Sequence, residues 1–154
     1  LFNNNLESFS NRIVVLDEIA DPGNLGTIIR TCAWFGINSI ILTKNSADIF
    51  NSKCLRSAMG GHFYLKNVGY KSNTEIIQFL NEKKYDVLCG TLDGEKIKDI
   101  KFSNKWALVL GSEAHGINNE LNIGTKISIP HYGEIESLNV AIACGILLNE
   151  ITNI

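Results

Sequence analysis

A chain of 154 residues suffices for one domain with a sizeable core, and 45% apolar with 19% charged residues excludes a disordered or fibrous protein. The formal net charge of −2 argues against a broad basic surface for nucleic acid. The longest apolar run, residues 140–148, is too short to cross a bilayer, so no membrane partner is expected.

Residues 1–11, with Asn3, Asn4, Asn5 and Asn11, read as a linker to something upstream, and the non-Met start at Leu1 suggests a fragment or a processed product. This Asn-rich start lacks the apolar core of a signal peptide. Residues 12–16 read as a buried strand. Residues 24–35 read as a helix, capped by Asn24 or its neighbours and stopped at Gly36. Residues 39–43 form a second, Ile-rich strand. Residues 52–59 are helical and end at Gly60 and Gly61, and residues 62–68 are strand-like. Residues 73–83 form an amphipathic helix with Ile76, Ile77 and Leu80 on one face. Strands follow at 85–89, 106–110 and 126–129, and a long apolar helix at 137–152. The alternation predicts an α/β fold: a mostly parallel six-stranded sheet with helices on both faces. The four cysteines, Cys32, Cys54, Cys89 and Cys144, show no C-x-x-C spacing. Neither a metal cluster nor a disulfide framework is expected, and a reducing cytoplasm fits.

In such sheets ligands bind at the carboxyl ends of strands. Four segments stand there: 21–30, 91–94, 111–116 and 130–139. Three carry unusual polar sequences and the fourth, 91–94, is a polar turn of similar type; their convergence points to one site. Taken singly, each residue has a plainer reading. Asn24 and Ser137 serve as helix caps, and Gly23 and Gly26 shape a turn. Glu113 is a cap or an exposed carboxylate. His115 and His131 are polar loop residues without metal-ligand spacing. Arg30 is balanced between a surface ion pair and a guanidinium fork aimed at a phosphate. No G-x-S-x-G elbow is present, so a hydrolase of that type has no support.

Together the segments resemble the three motifs of the SpoU (TrmH-type) RNA 2′-O-methyltransferases of the SPOUT superfamily. The first, D-P-x-N-x-G-x-x-x-R-T, is met by Asp21 through Thr31. The second, a strand ending in G-x-E-x-x-G, is met by Gly111, Glu113 and Gly116. The third, I-P-x-x-G-x-x-x-S-L-N-V-x-x-A, is met from Ile129 to Ala143. Residues 56–61, from Arg56 to Gly61, are similar to a Ser/Ala/Gly-rich segment of the same family. The resemblance covers residues 12–152. His131 and Tyr132 depart from the small residue and Met common at those places.

The resemblance implies a catalytic domain over residues 12–154, preceded by an RNA-binding domain joined through residues 1–11. It implies a C-terminal trefoil knot, an exception to the general avoidance of knots. It implies a homodimer with the active site completed across the interface, S-adenosylmethionine as donor, no metal, and ribosomal or transfer RNA as partner. Thr91, Leu92, Gly111, Ile129 and Leu138 would meet the donor. Arg30, Asn24, Glu113, Ser137 and Asn139 would form the catalytic set, and Arg30 and Arg56 would contact RNA. Two other classes stay open: an α/β enzyme using a nucleotide or adenosylmethionine on a small molecule, and a non-catalytic RNA-binding relative.

Overall fold

A computed structural model describes residues 2–153; Leu1 and Ile154, the outer ends of the two expected units, lie outside the described residues. Six strands form one sheet: β1 (Arg12–Asp17), β2 (Ser39–Thr43), β3 (Asn67–Lys71), β4 (Asp86–Lys96), β5 (Trp106–Gly111) and β6 (Thr125–Ser128). The order is β3-β2-β1-β5-β4-β6, and every neighbouring pair is parallel. Side chains alternate across the central strands. Val14, Leu16, Ile40, Leu42, Leu108 and Leu110 face one core, while Ile13, Val15, Ile41, Ala107 and Val109 face the other. The first core is covered by α1 (Pro22–Trp34), α2 (Ser52–Ala58) and α4 (Val140–Thr152). The second is covered by α3 (Asn73–Glu82), with Ile76, Phe79 and Leu80. Helices therefore lie on both faces, as the alternation predicts.

Four element boundaries differ from the sequence reading. Helix α1 starts two residues before Asn24, because Pro22 occupies its first turn and Asp21 is the cap, accepting from the Asn24 N–H at 2.8 Å. Proline suits that place, where its missing N–H has no helical partner. Lys53 lies 2.7 Å from Asp21 and holds its carboxyl below the usual range. Helix α4 starts at Val140, not Ser137; Asn139 is the cap, and its Oδ1 accepts from the N–H groups of Ala141 and Ile142. The expected strand over 62–68 is a 3-10 turn, Gly61–Tyr64, followed by β3. Within that turn His62 is buried and bonded to the Ile49 carbonyl oxygen at 2.8 Å. The turn expected at 91–94 lies inside β4, as a bulge: Gly90 and Glu95 both pair with Ile127.

Residues 2–11 lie along the β3 edge, where Asn3 bridges Asn67 and Phe2 stacks on Phe50. Helices α1 and α2 touch closely at Gly26, where a Cβ would stand 2.0 Å from Ser57 Oγ and 2.3 Å from the Cys54 carbonyl oxygen. All four cysteines are buried free thiols.

Candidate active site

The carboxyl ends of β4, β5 and β6 open into a cleft of about 770 Å³. Its walls are residues 90–93 of the β4 bulge, residues 110–117 after β5, and most of residues 129–138 after β6; Val140, Ala143 and Leu147 of α4 line it too. Thr91, Leu92, Gly111, Ile129 and Leu138 all line it. So does Asn122, which no sequence pattern singled out. Among the described residues its Oδ1 and the Oγ1 of Thr91 are buried without a hydrogen-bond partner. An unpaired buried polar atom costs about 1–3 kcal/mol.

The wall after β5 turns sharply. Gly116 has φ +68°, and its N–H donates to the Ser112 carbonyl oxygen at 2.8 Å. The returning chain passes so close to Gly111 that a Cβ there would lie 2.0 Å from the Gly116 carbonyl oxygen. The two glycines of the second motif are therefore one device, which swings Glu113 toward α1 and α4.

Glu113 Oε1 joins the three motifs. It accepts from Asn24 Nδ2 at 2.7 Å, from Asn139 Nδ2 at 3.3 Å and from the Val140 N–H at 3.3 Å. Asn139 Nδ2 also donates to Asn24 Oδ1 at 2.9 Å. A carboxylate at the start of α4 meets both the orphan N–H and the positive end of the helix dipole. Asn24, Glu113 and Asn139 thus bond to one another, while Asn139 Oδ1 caps α4. Of the three only Glu113 lines the cleft.

Ser137 sits on the cleft wall, exposed, and makes no side-chain hydrogen bond among the described residues. Arg30 lies elsewhere. It is exposed on α1, six residues past Asn24 or about 9 Å along the axis, and does not line the cleft. Arg56, in the last turn of α2, is also exposed and outside the cleft. Among the described residues neither arginine has an ion-pair partner. No group of three His, Cys, Asp or Glu side chains among the described residues is arranged to hold a metal.

A parallel sheet whose strand-end loops close an apolar cleft, tied by one carboxylate, defines an α/β ligand-binding domain. The SpoU rRNA Methylase family matches residues 11–149, and the chain belongs to that family. It is 36% identical over 143 residues to the 23S rRNA (guanosine(2553)-2'-O)-methyltransferase of Bacillus subtilis, covering 89% of this chain and 56% of that protein. The fold is similar to an AdoMet-bound rRNA methyltransferase from Sinorhizobium meliloti, with a TM-score of 0.91 and 31% identity over 99% of this chain and 61% of that one. It is also similar to the SpoU methyltransferase AviRb from Streptomyces viridochromogenes in complex with AdoMet, with a TM-score of 0.84 and 27% identity over 94% and 57% of the two chains. The chain spans between half and two thirds of the length of each of these proteins.

Proposed function

We propose that this domain transfers a methyl group from S-adenosylmethionine to a ribose 2′-hydroxyl of ribosomal or transfer RNA. The observation that carries the reading is the Glu113 junction, which ties the three motif segments together at the rim of one apolar cleft. The cleft fits the donor. Its apolar lining suits the adenine and methionyl chain, and the unpaired Thr91 Oγ1 and Asn122 Oδ1 supply polar anchors. Thr91, Leu92, Gly111, Ile129 and Leu138 hold the donor in this reading. The AdoMet-bound relatives support it.

The donor supplies a methyl on a sulfonium, already activated toward an oxygen nucleophile. The protein's task is to align the hydroxyl and to stabilise charge developing on its oxygen. Arg30 serves here as a phosphate and alkoxide ligand rather than a base, since a guanidinium stays protonated at neutral pH. Ser137 meets the ribose, and Asn24, Glu113 and Asn139 hold the rim in place. Arg56 contacts the RNA backbone.

Arg30 lies off the cleft of its own chain, so the catalytic set is incomplete in one copy. We infer a homodimer in which a second copy contributes it. Helix α4 supports this: it is apolar on nearly every side, yet Ile142 is 54% exposed. Such a helix normally lies buried all round. The proposal includes a trefoil knot. Strand β6 lies beyond β4, so the chain after β5 passes β4 before α4 returns against α1. We place the protein in the cytoplasm, where four buried thiols stay reduced.

Two measurements test the reading. At a hundredfold excess over Kd, S-adenosylmethionine adds about 2.7 kcal/mol, roughly 5–10 °C in melting temperature for a chain of this size. Ribosomal and transfer RNA from cells lacking the gene should accept the methyl group. Arg30→Ala should abolish transfer and keep donor binding, and Arg30→Lys should rescue poorly. Transfer to a small acceptor alone, or donor binding without any transfer, would replace the proposal with one of the two other classes.

A further inference from the structure

The proposed reaction leaves one proton without a destination. Attack by the ribose 2′-oxygen forms a bond to the methyl carbon and breaks the carbon–sulfur bond, whose electron pair neutralises the sulfonium. The hydroxyl proton must depart as the new bond forms. A guanidinium is already protonated at neutral pH and cannot accept it. A general base works best when its own pKa lies near the operating pH.

Two imidazoles line the cleft, His115 and His131. His62, the third histidine, is buried elsewhere on the Ile49 carbonyl oxygen. The other titratable groups on the cleft are Asp93 from the β4 bulge, Glu113 beside His115, and Tyr132 and Glu136 after β6. Helix α4 adds only Val140, Ala143 and Leu147. Asp93 is paired with Lys126, and Glu113 Oε1 already accepts three hydrogen bonds. As classes, carboxylic acids lose their protons well below pH 7 and phenols well above it, which leaves the imidazoles.

Position separates the two. His115 stands on the sharp turn after β5, where its N–H donates to Ser112 Oγ at 3.3 Å and Ser112 bridges Gly116. The turn holds its backbone, while its side chain is exposed and makes no hydrogen bond among the described residues. Glu113, two residues before His115, accepts from Asn139 Nδ2 at 3.3 Å. Asn139 in turn is two residues past Ser137, which meets the ribose in the proposed function. Two residues of chain span at most about 7 Å, so the Glu113–Asn139 bond gathers His115 and Ser137 at one edge of the cleft. His131 instead follows Ile129, on the side the proposed function gives to the donor. We propose that His115 is the general base that takes the 2′-hydroxyl proton. The O–H electron pair stays on the oxygen, the proton passes to a ring nitrogen, and the imidazolium later releases it to water. The inference rests on the proposed methyl transfer.

The test uses the full chain, S-adenosylmethionine, and ribosomal and transfer RNA from cells lacking the gene. Single-turnover transfer is followed between about pH 5 and 9. The wild-type rate should rise about tenfold per pH unit in acid and level off near neutrality, as a base of the imidazole class requires. His115→Gln should slow transfer roughly 10²- to 10⁴-fold and flatten that limb. Its melting temperature and its affinities for donor and RNA should stay at wild-type values. Imidazole added to His115→Ala should restore part of the rate, in proportion to its neutral form. His131→Gln should keep the acid limb. A His115→Gln variant that keeps both rate and limb overturns the proposal, as does a limb lost with His131→Gln instead. Loss of donor or RNA affinity that accounts for the whole fall in rate also overturns it, since His115 would then be a binding group. Absence of any transfer by the wild type removes the proposed function and the base with it; transfer by the wild type matched by His115→Gln removes the base alone.

Discussion

Asp17 ends β1 in register with Gly111, and its carboxylate accepts from the Asn118 N–H at 2.7 Å. One residue therefore ties both ends of the loop that carries Glu113. Burial raises the Asp17 pKa above its ordinary 3.8, against the lowering effect of the Asn118 and Thr43 hydrogen bonds. The folded chain thus holds the Asp17 proton more tightly than the unfolded one. Its contribution to stability is present below pH 3.8 and lost as pH rises through the raised value. Asp21 and Asp86 act in the opposite sense, with lowered pKa values whose contribution is lost in acid. An Asp17→Asn variant removes one titration and leaves the others. Its melting temperature minus that of the wild type should rise from acid to neutral pH and then level off. A difference that falls over that range would show that the Asp17 anion is favoured by folding.

At the scale of elements, close approach decides what two helix glycines do. Alanine in a helix interior gains about 1 kcal/mol over glycine. At Gly26 the added Cβ meets the Cys54 carbonyl oxygen at 2.3 Å, a backbone atom that moves only if α1 and α2 separate. Overpacking of that kind costs about 1–3 kcal/mol or more. At Gly145 in α4 the nearest atom is Thr31 Cγ2 at 3.7 Å, ordinary contact. Gly26→Ala should therefore lower the melting temperature by several degrees, while Gly145→Ala raises it by a few. A calorimetric scan of both variants decides, and the same sign for both would mean that helix spacing is not set at Gly26. Such contacts are invisible in sequence, where Gly26 reads as part of a turn. What was legible came from periodicity. Five of the six strands and the helices over 52–59 and 73–83 show it plainly, whereas the strand expected over 62–68 is a turn with β3 after it; the three motif segments were legible through the family resemblance. What was not legible depends on tertiary partners. Asn139, not Ser137, starts α4, because Glu113 waits there for the Val140 N–H. The 91–94 bulge exists because Gly90 and Glu95 share Ile127. Asn122 belongs to the cleft through folding alone, and no spacing reveals that Arg30 stands off it.

Across the whole molecule the distribution of charge matters more than its sum. Between Lys83 and Lys105 there are six lysines, interspersed with Asp86, Asp93, Glu95 and Asp99. Lys126, nearby in space, is already 2.9 Å from Asp93. That half of the chain intersperses its cations with acids, whereas residues 22–74 contain one acid, Asp48, with Asp21 holding Lys53 from just outside. RNA affinity depends on the phosphates neutralised, and for single strands the logarithm of the binding constant falls with the logarithm of salt concentration at about 0.7 per phosphate. If only the six cations of residues 22–74 take part, the slope per protomer should not exceed about 4. RNA binding by residues 1–154 should therefore be weak at physiological salt and modest in its salt dependence. Titrating a single-stranded RNA at several salt concentrations measures the slope directly. A value well above 4 per protomer would require the lysines of residues 83–105 to bind phosphates despite their acidic neighbours, and would move the RNA path to the β4 side of the sheet. Replacing Lys98, Lys101 and Lys105 together by Gln separates the two paths: the slope should stay unchanged if RNA follows the Arg30 face, and fall by about 2 if it follows β4.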